Sequence, residues 1–292
     1  MSKETHYGGQ AVIEGVMMVG PEEMAVAVRR PSGEIVIERK AFRSAGKKHS
    51  ILRIPIVRGC LALWNSLRLG VFALMFSAEQ ACDDEEPLTW REMAVTTAAA
   101  MTLAVGLFIV LPAWIGGLIA DNGTGETVAN IAEGFLRLAV LLAYIVAISR
   151  VKDIRRVFQY HGAEHKVINA FEAGEPLEAG RIMPYSTRHP RCGTSFLLFA
   201  VVVSTLVFST AGDLPALWRV VSRLALLPVV IGISYELIRA AGRYPKSKIL
   251  GLLSVPGMWL QGLTTLEPDR DQVEVAIAAL KAIRPPDTRL HA

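Results

Sequence analysis

Cysteine is scarce in this chain of 292 residues, which contains only Cys60, Cys82 and Cys192. No two of them form a Cys-x-x-Cys pair, so the sequence indicates neither a disulfide framework nor a zinc ribbon, and we expect free thiols in a reducing compartment. The Gly-x-x-x-x-Gly-Lys-[Ser/Thr] and Gly-x-Gly-x-x-Gly patterns are also absent, which argues against a nucleotide-phosphate loop. The N-terminus has no basic leader followed by a continuous apolar core, so we expect no cleaved signal peptide.

A strong excess of one charge is missing as well. The formal net charge is +4, and the basic residues flank apolar runs instead of forming a stripe with interleaved aromatics, which excludes nucleic acid as the expected partner. What the chain has in abundance is apolar residues, at 52% of the total, with a mean hydropathy of +0.37. This composition predicts a membrane protein whose partner is the lipid bilayer. A protein partner or an oligomer stays open.

Four windows have about the 20 apolar residues that a bilayer crossing requires. They are Met93–Ala120, Val128–Ser149, Thr194–Ala211 and Leu217–Ile238. The second window contains Glu133 and Arg137, and the fourth contains Arg219 and Arg223. These charges must either reach the interface or face the interior of a helix bundle.

Short loops rich in Lys and Arg stay cytoplasmic, so loop charge predicts the orientation of the spans. The connections 121–127 and 212–216 contain no Lys or Arg, whereas the connection 150–191 and both terminal regions are basic. We therefore expect four spans in the cytoplasmic membrane, with both termini and the 150–191 connection on the cytoplasmic side.

The regions outside the spans also have recognisable patterns. Met24–Arg30 and Glu34–Lys40 flank Pro31-Ser32-Gly33 and predict a β-hairpin, which Ala11–Met18 precedes as a further strand. Residues 59–80 predict an amphipathic helix on the membrane or on the bundle, although a fifth span stays open. We expect residues 246–266 to be broken at Pro256-Gly257 and to skim the interface, and Arg270–Ile283 to form a soluble helix.

The predicted organisation is a cytoplasmic β-containing segment (1–58), an amphipathic helix with an acidic linker (59–92), a transmembrane bundle (93–245) with a cytoplasmic connection (150–192), and an interfacial segment with a C-terminal helix (246–292).

The connection contains the sequence Tyr-His-Gly-Ala-Glu-His-Lys. If it is helical, His161, Glu164 and His165 fall within an arc of about 100 degrees. Two His four residues apart can share one metal ion, and the intervening Glu can act as general base on water, which is the inverted zincin pattern. The alternative is an interfacial helix whose two His pair with Glu164 or with lipid phosphates.

Four other residues are candidates for the same site. His189 and Cys192 precede the third span and supply zinc-compatible donors at the same cytoplasmic edge, unless Cys192-Gly193-Thr194 only starts a closely packed helix. Glu236, near the cytoplasmic end of the fourth span, is a candidate ligand, or else an ion-pair partner of Arg239. Glu14 interrupts an apolar strand face, where a carboxylate is costly unless it is paired or functional, and we expect a catalytic role.

Four sequence blocks together resemble the YqhQ-like family of uncharacterised bacterial membrane proteins. The blocks are GGQAVIEGVMM, YHGAEHKVINAFE, HPRCGTSF and PGMWLQGLTTLEPD, and they span residues 8–269. Members of this family are often labelled metal-dependent enzymes. The resemblance implies a polytopic membrane protein and favours a metal site at His161, Glu164 and His165, but it implies no substrate.

We therefore predict a mainly α polytopic membrane protein with about four transmembrane helices, a small N-terminal β segment and a cytoplasmic C-terminal helix. The predicted function is that of a divalent-metal-dependent enzyme of the hydrolase class, with zinc as the expected metal. His161, His165, His189, Cys192 and Glu236 are the metal candidates, and Glu164 and Glu14 are the catalytic candidates. The alternative is a non-enzymatic membrane scaffold or assembly factor. A transporter ranks only third, because four spans with few buried polar groups offer little for a path across the bilayer.

Overall fold

The computed structural model describes residues 7–41, 54–81, 90–212, 214–244 and 247–284. It is mainly helical, with one small antiparallel sheet. The strands are β1 (Gly8–Val12), β2 (Gly15–Val19), β3 (Glu23–Arg29) and β4 (Ile35–Ala41). The helices are α1 (Pro55–Ala81), α2 (Trp90–Val105), α3 (Leu111–Ile119), α4 (Glu126–Ile148), α5 (Lys152–Glu172), α6 (Ala179–Ile182), α7 (Gly193–Phe208), α8 (Ala216–Arg243), α9 (Lys248–Thr264) and α10 (Arg270–Ile283).

The four strands form a meander in the order β1-β2-β3-β4, in which β2 and β3 are buried on both faces and β4 is mostly exposed. Successive side chains of a strand point to opposite faces. Ala25 and Ala27 accordingly join a core with α5 and α10, whereas Met24, Val26 and Val28 join a second core with α1. The predicted hairpin of β3 and β4 is confirmed, and the sheet lies between α1 on one face and α5 with α10 on the other.

The predicted strand Ala11–Met18 is instead two strands. β1 ends at Val12, and the turn at Ile13 and Glu14 leads into β2, with Glu14 in the left-handed region at φ 50°. Gly15 follows, where a Cβ would overlap the carbonyl oxygen of Ala27. Glu14 therefore lies in a turn and does not interrupt a strand face, a difference that alternation alone could not reveal.

Among the described residues, five helices are long and apolar enough to cross a membrane. Four of them, Ala94–Gly123, Glu126–Ile148, Gly193–Ala211 and Leu217–Arg243, overlap the four predicted windows, and the fifth is α1. The first of these helices comprises α2 and α3 with two π-helical turns at Gly106–Val110 and Ala120–Thr124. Length and composition thus support a membrane protein.

Glu133, Arg137, Arg219 and Arg223 face the interior of the bundle. Glu133 of α4 is 2% exposed and bonds Arg137 at 2.7 Å and Arg223 of α8 at 3.2 Å. Asn130 accepts hydrogen bonds from both Arg219 and Arg223, and Arg137 donates to the hydroxyl of Ser204 on α7. Of the two arrangements expected from the sequence, the structure shows the interior one, because each of these charges has polar partners within the bundle.

The C-terminal segment differs from expectation in one respect. Pro256 does not break α9, which runs continuously from Lys248 to Thr264. Gly257 permits close packing there, since a Cβ would lie 2.5 Å from the hydroxyl of Ser195 on α7. α10 begins and ends where the sequence predicted, and Asp269 and Gln272 cap its N-terminus reciprocally.

Candidate metal centre

Helix α5 presents two rows of side chains to two parts of the protein. Arg156, Tyr160 and Glu164, spaced four residues apart, face the β1–β2 hairpin. His161 and His165, on an adjacent row, face the end of α9 and the segment that precedes α7. A helix places residues four apart one above the other, so the His-x-x-Glu-His pattern assigns the carboxylate to one wall and both imidazoles to the other.

Backbone carbonyls fix the orientation of both imidazoles. Nδ1 of His161 lies 2.9 Å from the carbonyl oxygen of Thr264, and Nδ1 of His165 lies 2.6 Å from that of Thr187. A carbonyl oxygen can only accept, so each Nδ1 carries the proton and each Nε2 retains a free lone pair. This arrangement is common in metal-ligating histidines, where the second ring nitrogen donates to a carbonyl or a carboxylate.

Cys192 completes a group of three possible ligands. It is the N-cap residue of α7, and its Sγ lies 3.3 Å from Nε2 of His161. One ligand atom from each of His161, His165 and Cys192 can be chosen so that all lie within 4.8 Å of one another. Tetrahedral zinc separates its sulfur and nitrogen ligands by about 3.6 Å, given the usual Zn–S and Zn–N lengths. The donors suit a divalent metal such as zinc in their chemistry, and the 3.3 Å between Nε2 of His161 and Sγ of Cys192 is close to that spacing.

Glu164 lies beside these ligands at the sheet. Its carboxylate accepts a hydrogen bond from the backbone N–H of Gly9, and its Oε2 lies 3.9 Å from Nε2 of His161. A Cβ at position 9 would lie 2.9 Å from the Glu164 carboxylate, so the close approach of β1 to α5 requires glycine. Strand β1 is thus one wall of the site.

Burial sets the protonation of the four groups. Desolvation lowers the pKa of His161, and desolvation together with the neighbouring His161 lowers that of His165 to about 3. Desolvation raises the pKa of Glu164 to about 8 and that of the Cys192 thiol to about 11. Both imidazoles are therefore neutral at pH 7 and ready to ligate, whereas the thiol must lose its proton when a metal binds.

Three polar side chains hold the segment that carries Thr187 and His189. Lys166 donates to the carbonyls of Met183 and Tyr185, at 2.5 and 2.7 Å, and Asn169 donates to those of Ser186 and Arg188.

Gln261 of α9 is fully buried; its Oε1 accepts from the N–H of His189 and its Nε2 donates to the carbonyl of the same residue. Sequence reasoning missed these three residues. Only the presence of Lys166 and Asn169 on the motif helix could have suggested two of them.

Close packing explains why the motif contains a glycine, Gly162. A Cβ at this position would overlap the carbonyl oxygen of Leu266, and the N–H of Leu266 donates to the carbonyl of Phe158. The segment after α9 therefore lies directly on α5. This contact places the Thr264 carbonyl where His161 can donate to it.

The remaining predicted residues have other partners. His189 lies with its Nε2 3.5 Å from Glu172, and its ring centroid is 5.8 Å from that of His165. Glu236 pairs with Arg58 at 2.7 Å and with Arg239 at 3.6 Å. Glu14 pairs with Arg156 and accepts from Tyr160 at 3.2 Å, which docks the β1–β2 turn onto α5. The structure thus brings together His161, His165, Cys192 and Glu164, and leaves the other three outside this group.

Comparison with known proteins identifies a family but adds no reaction. A family model described as "Protein of unknown function (DUF1385)" matches residues 54–285. The "Uncharacterized protein YqhQ" of Bacillus subtilis (strain 168) is 35% identical over 291 residues, which cover 95% of this chain and 92% of that protein. No solved structure matches the chain.

Proposed function

The chain belongs to the DUF1385 family of proteins of unknown function, and we propose that it binds a divalent metal ion at the cytoplasmic boundary of a membrane-embedded helix bundle. His161, His165 and Cys192 are the proposed ligands. Three protein ligands leave a coordination position open, which is typical of catalytic zinc sites and not of structural ones. The proposed activity is accordingly that of a metal-dependent hydrolase.

One observation carries the proposal. Both imidazoles use Nδ1 to donate to a backbone carbonyl, so both keep Nε2 as a possible ligand atom, and that of His161 lies 3.3 Å from Sγ of Cys192. A pair of interfacial histidines that contacted lipid phosphates would need exposed rings. His165 is instead 2% exposed and packs edge-to-face on His161, with ring centroids 4.5 Å apart.

The residues around the ligands have roles in a hydrolytic reaction. A divalent metal would supply Lewis acidity, which lowers the pKa of a water molecule and polarises the bond to be cleaved. Glu164 is the one carboxylate beside the three ligands among the described residues. Burial raises its pKa, and the charge of a bound metal would lower it again, so that the ionised carboxylate would accept the proton of the attacking water and return it to the leaving group. The Gly9 N–H holds that carboxylate against β1. Exposure of part of the His161 ring, at 17%, gives the site its contact with solvent.

The sidedness of the site follows from charge. Cys192 immediately precedes α7, so the site lies at one end of a membrane-length helix. The connection 150–191 on this side contains many Lys and Arg residues, whereas the opposite connections 121–127 and 212–216 contain none. By the positive-inside rule, the site end of the bundle is cytoplasmic, and so are both termini.

The 3.3 Å between Nε2 of His161 and Sγ of Cys192 also favours a second candidate function. In it, His161 removes the proton from the Cys192 thiol and the thiolate is the nucleophile. A thiol whose pKa burial has raised to about 11 is a poor nucleophile. The metal site is therefore the stronger proposal, and metal content separates the two.

The test is elemental analysis of protein purified in detergent without chelator, with an affinity tag that contains no histidine. About one equivalent of zinc or another divalent metal per chain is expected, with its loss in the His161→Ala, His165→Ala double variant. His189→Ala tests the remaining imidazole and should retain the metal, since His189 lies against Glu172. Wild-type protein that remains metal-free after incubation with zinc would overturn the proposal and leave the thiol–imidazole pair.

A further inference from the structure

Helix α1 contacts the bundle with its first turns and the sheet with its second half. A Cβ at Gly59 would lie 2.8 Å from the Cα of Gly232 on α8, and Arg58 pairs with Glu236. Further along, Leu69 and Ala73 are buried in the core beneath the sheet. The two halves of α1 thus pack on two different parts of the protein.

The Arg58–Glu236 pair and the sheet both lie toward the same end of the bundle, and Cys60 of α1 contacts the carbonyl of Pro228 near the middle of α8. Gly242, near the end of α8, packs on Arg191, the residue before Cys192, so this end of α8 is the site end. Glu236, the partner of Arg58, lies within two turns of Arg243, the last residue of α8. The sheet, which covers the other half of α1, contacts the site itself through Gly9.

The chain must cross the membrane an even number of times between the sheet and α5. The sheet, α5 and α10 share one buried core, so they lie on one side of the membrane. Between β4 and α5 the described part of the chain contains three membrane-length helices: α1, Ala94–Gly123 and Glu126–Ile148. Three complete crossings would place the sheet and α5 on opposite sides, so at least one of the three does not cross. The contacts of α1 identify it as that helix.

We propose that α1 lies in the cytoplasmic leaflet and does not cross the membrane, with its outward apolar face immersed in lipid. That face consists of Trp64, Leu67, Val71 and Leu74, which are 66, 45, 37 and 41% exposed and follow the three- and four-residue spacing of one helical stripe. Among the described residues no protein surface covers it. The other membrane-length helices also expose large apolar side chains, so one lipid phase suits both.

Charges border the stripe at the level where head groups would lie. Arg68 is exposed on α1, and Nζ of Lys40 on β4 lies 4.0 Å from the centre of the Phe72 ring. An apolar stripe bordered by Lys and Arg is typical of a helix that binds a membrane surface containing anionic lipid. This inference uses no property of the metal site and stands or falls independently of it.

The test adds one cysteine at a time to a Cys60→Ala, Cys82→Ala background and labels cells with a membrane-impermeant maleimide. This background keeps the buried Cys192 and is itself the control for labelling at that thiol. Glu79→Cys, exposed in the last turns of α1, should be labelled only after permeabilisation, like the loop control Glu175→Cys. Asn122→Cys, in the connection before α4, should be labelled in intact cells. Labelling of Glu79→Cys in intact cells would overturn the proposal.

A second measurement follows the depth of the stripe itself. Spin labels at Trp64→Cys, Leu67→Cys, Val71→Cys and Leu74→Cys in reconstituted vesicles report their exposure to oxygen and to a water-soluble nickel complex. All four should lie in the head-group-proximal part of one leaflet. A passage through the bilayer centre, with the nickel complex reaching labels at both ends of the stripe from opposite sides, would show that α1 crosses.

Discussion

The Nε2 atom of His161 lies 3.3 Å from the Sγ atom of Cys192, although 31 positions separate the two residues in the chain. This contact joins α5, which packs on the sheet, to the N-cap of α7, a membrane-length helix. An ion held by both side chains would sit at the boundary between the sheet-bearing part of the protein and the helix bundle.

Cys192→Ser should weaken zinc binding strongly, because a hydroxyl replaces a thiolate ligand. The fall in affinity should exceed the roughly 10- to 100-fold that follows loss of an outer hydrogen-bond partner of a ligand. Competition with a fluorescent chelator in detergent measures it. Cys60→Ser is the matched control, since the Cys60 thiol contacts the Pro228 carbonyl on α8 and should leave affinity unchanged. Equal affinities in the two variants would remove Cys192 from the ligand set.

Gly162→Ala should destabilise the protein, because the new methyl group must displace the Leu266 carbonyl from α5. Overpacking of this kind costs about 1–3 kcal/mol of the free energy of unfolding. Metal affinity should fall as well, since the displaced segment carries the carbonyl that orients His161. Gly180→Ala is the control, because a Cβ there meets no atom within 4 Å. Thermal unfolding in detergent compares the pair, and indistinguishable midpoints would contradict the packing argument.

Gln261→Met should leave both the N–H and the carbonyl of His189 without their side-chain partner in a fully buried site. An unsatisfied buried polar group costs about 1–3 kcal/mol, so a lower unfolding temperature is expected, with weaker zinc binding because Cys192 follows closely in the chain. Gln159→Met controls for the substitution, since its two hydrogen bonds are longer, at 3.4 and 3.5 Å. A larger effect at Gln159 would show that Gln261 does not hold the segment.

Glu133→Gln should destabilise the bundle without changing the metal site. It removes the charge that Arg137 and Arg223 share, and breaking a buried pair by removing one partner costs about 3–5 kcal/mol. Glu178→Gln, at a carboxylate that is 70% exposed, should have almost no effect. Unfolding temperature and metal per folded chain are the two readouts. Loss of metal from folded Glu133→Gln protein would show that the bundle network and the site are coupled.

Local patterns predicted much of the fold. Alternation and the Pro-Ser-Gly turn placed β3 and β4, the acidic first turn placed α10, and apolar length placed four of the five membrane-length helices. The turn at Glu14 was not predictable, because its left-handed backbone depends on pairing with β2 and on the contact with Arg156. The continuity of α9 was missed because tertiary packing at Gly257 outweighs the local cost of Pro256.

The site was predictable as far as helix periodicity and topology reach. These two arguments select His161, Glu164 and His165 and bring Cys192 to the same side. They do not distinguish Cys192 from His189, since both precede α7 closely, and the difference arises from the way Gln261 and Glu172 hold His189. The carbonyls of Thr187 and Thr264 could not be predicted, because any residue supplies a carbonyl and only the fold decides which one a ring meets.

Zinc K-edge X-ray absorption on protein loaded with one equivalent of zinc detects the proposed ligands themselves. One sulfur ligand at about 2.3 Å and nitrogen ligands at about 2.0–2.1 Å are expected, with the sulfur contribution absent in Cys192→Ser. A wild-type spectrum with only nitrogen and oxygen ligands, unchanged by that substitution, would contradict the proposed ligand set.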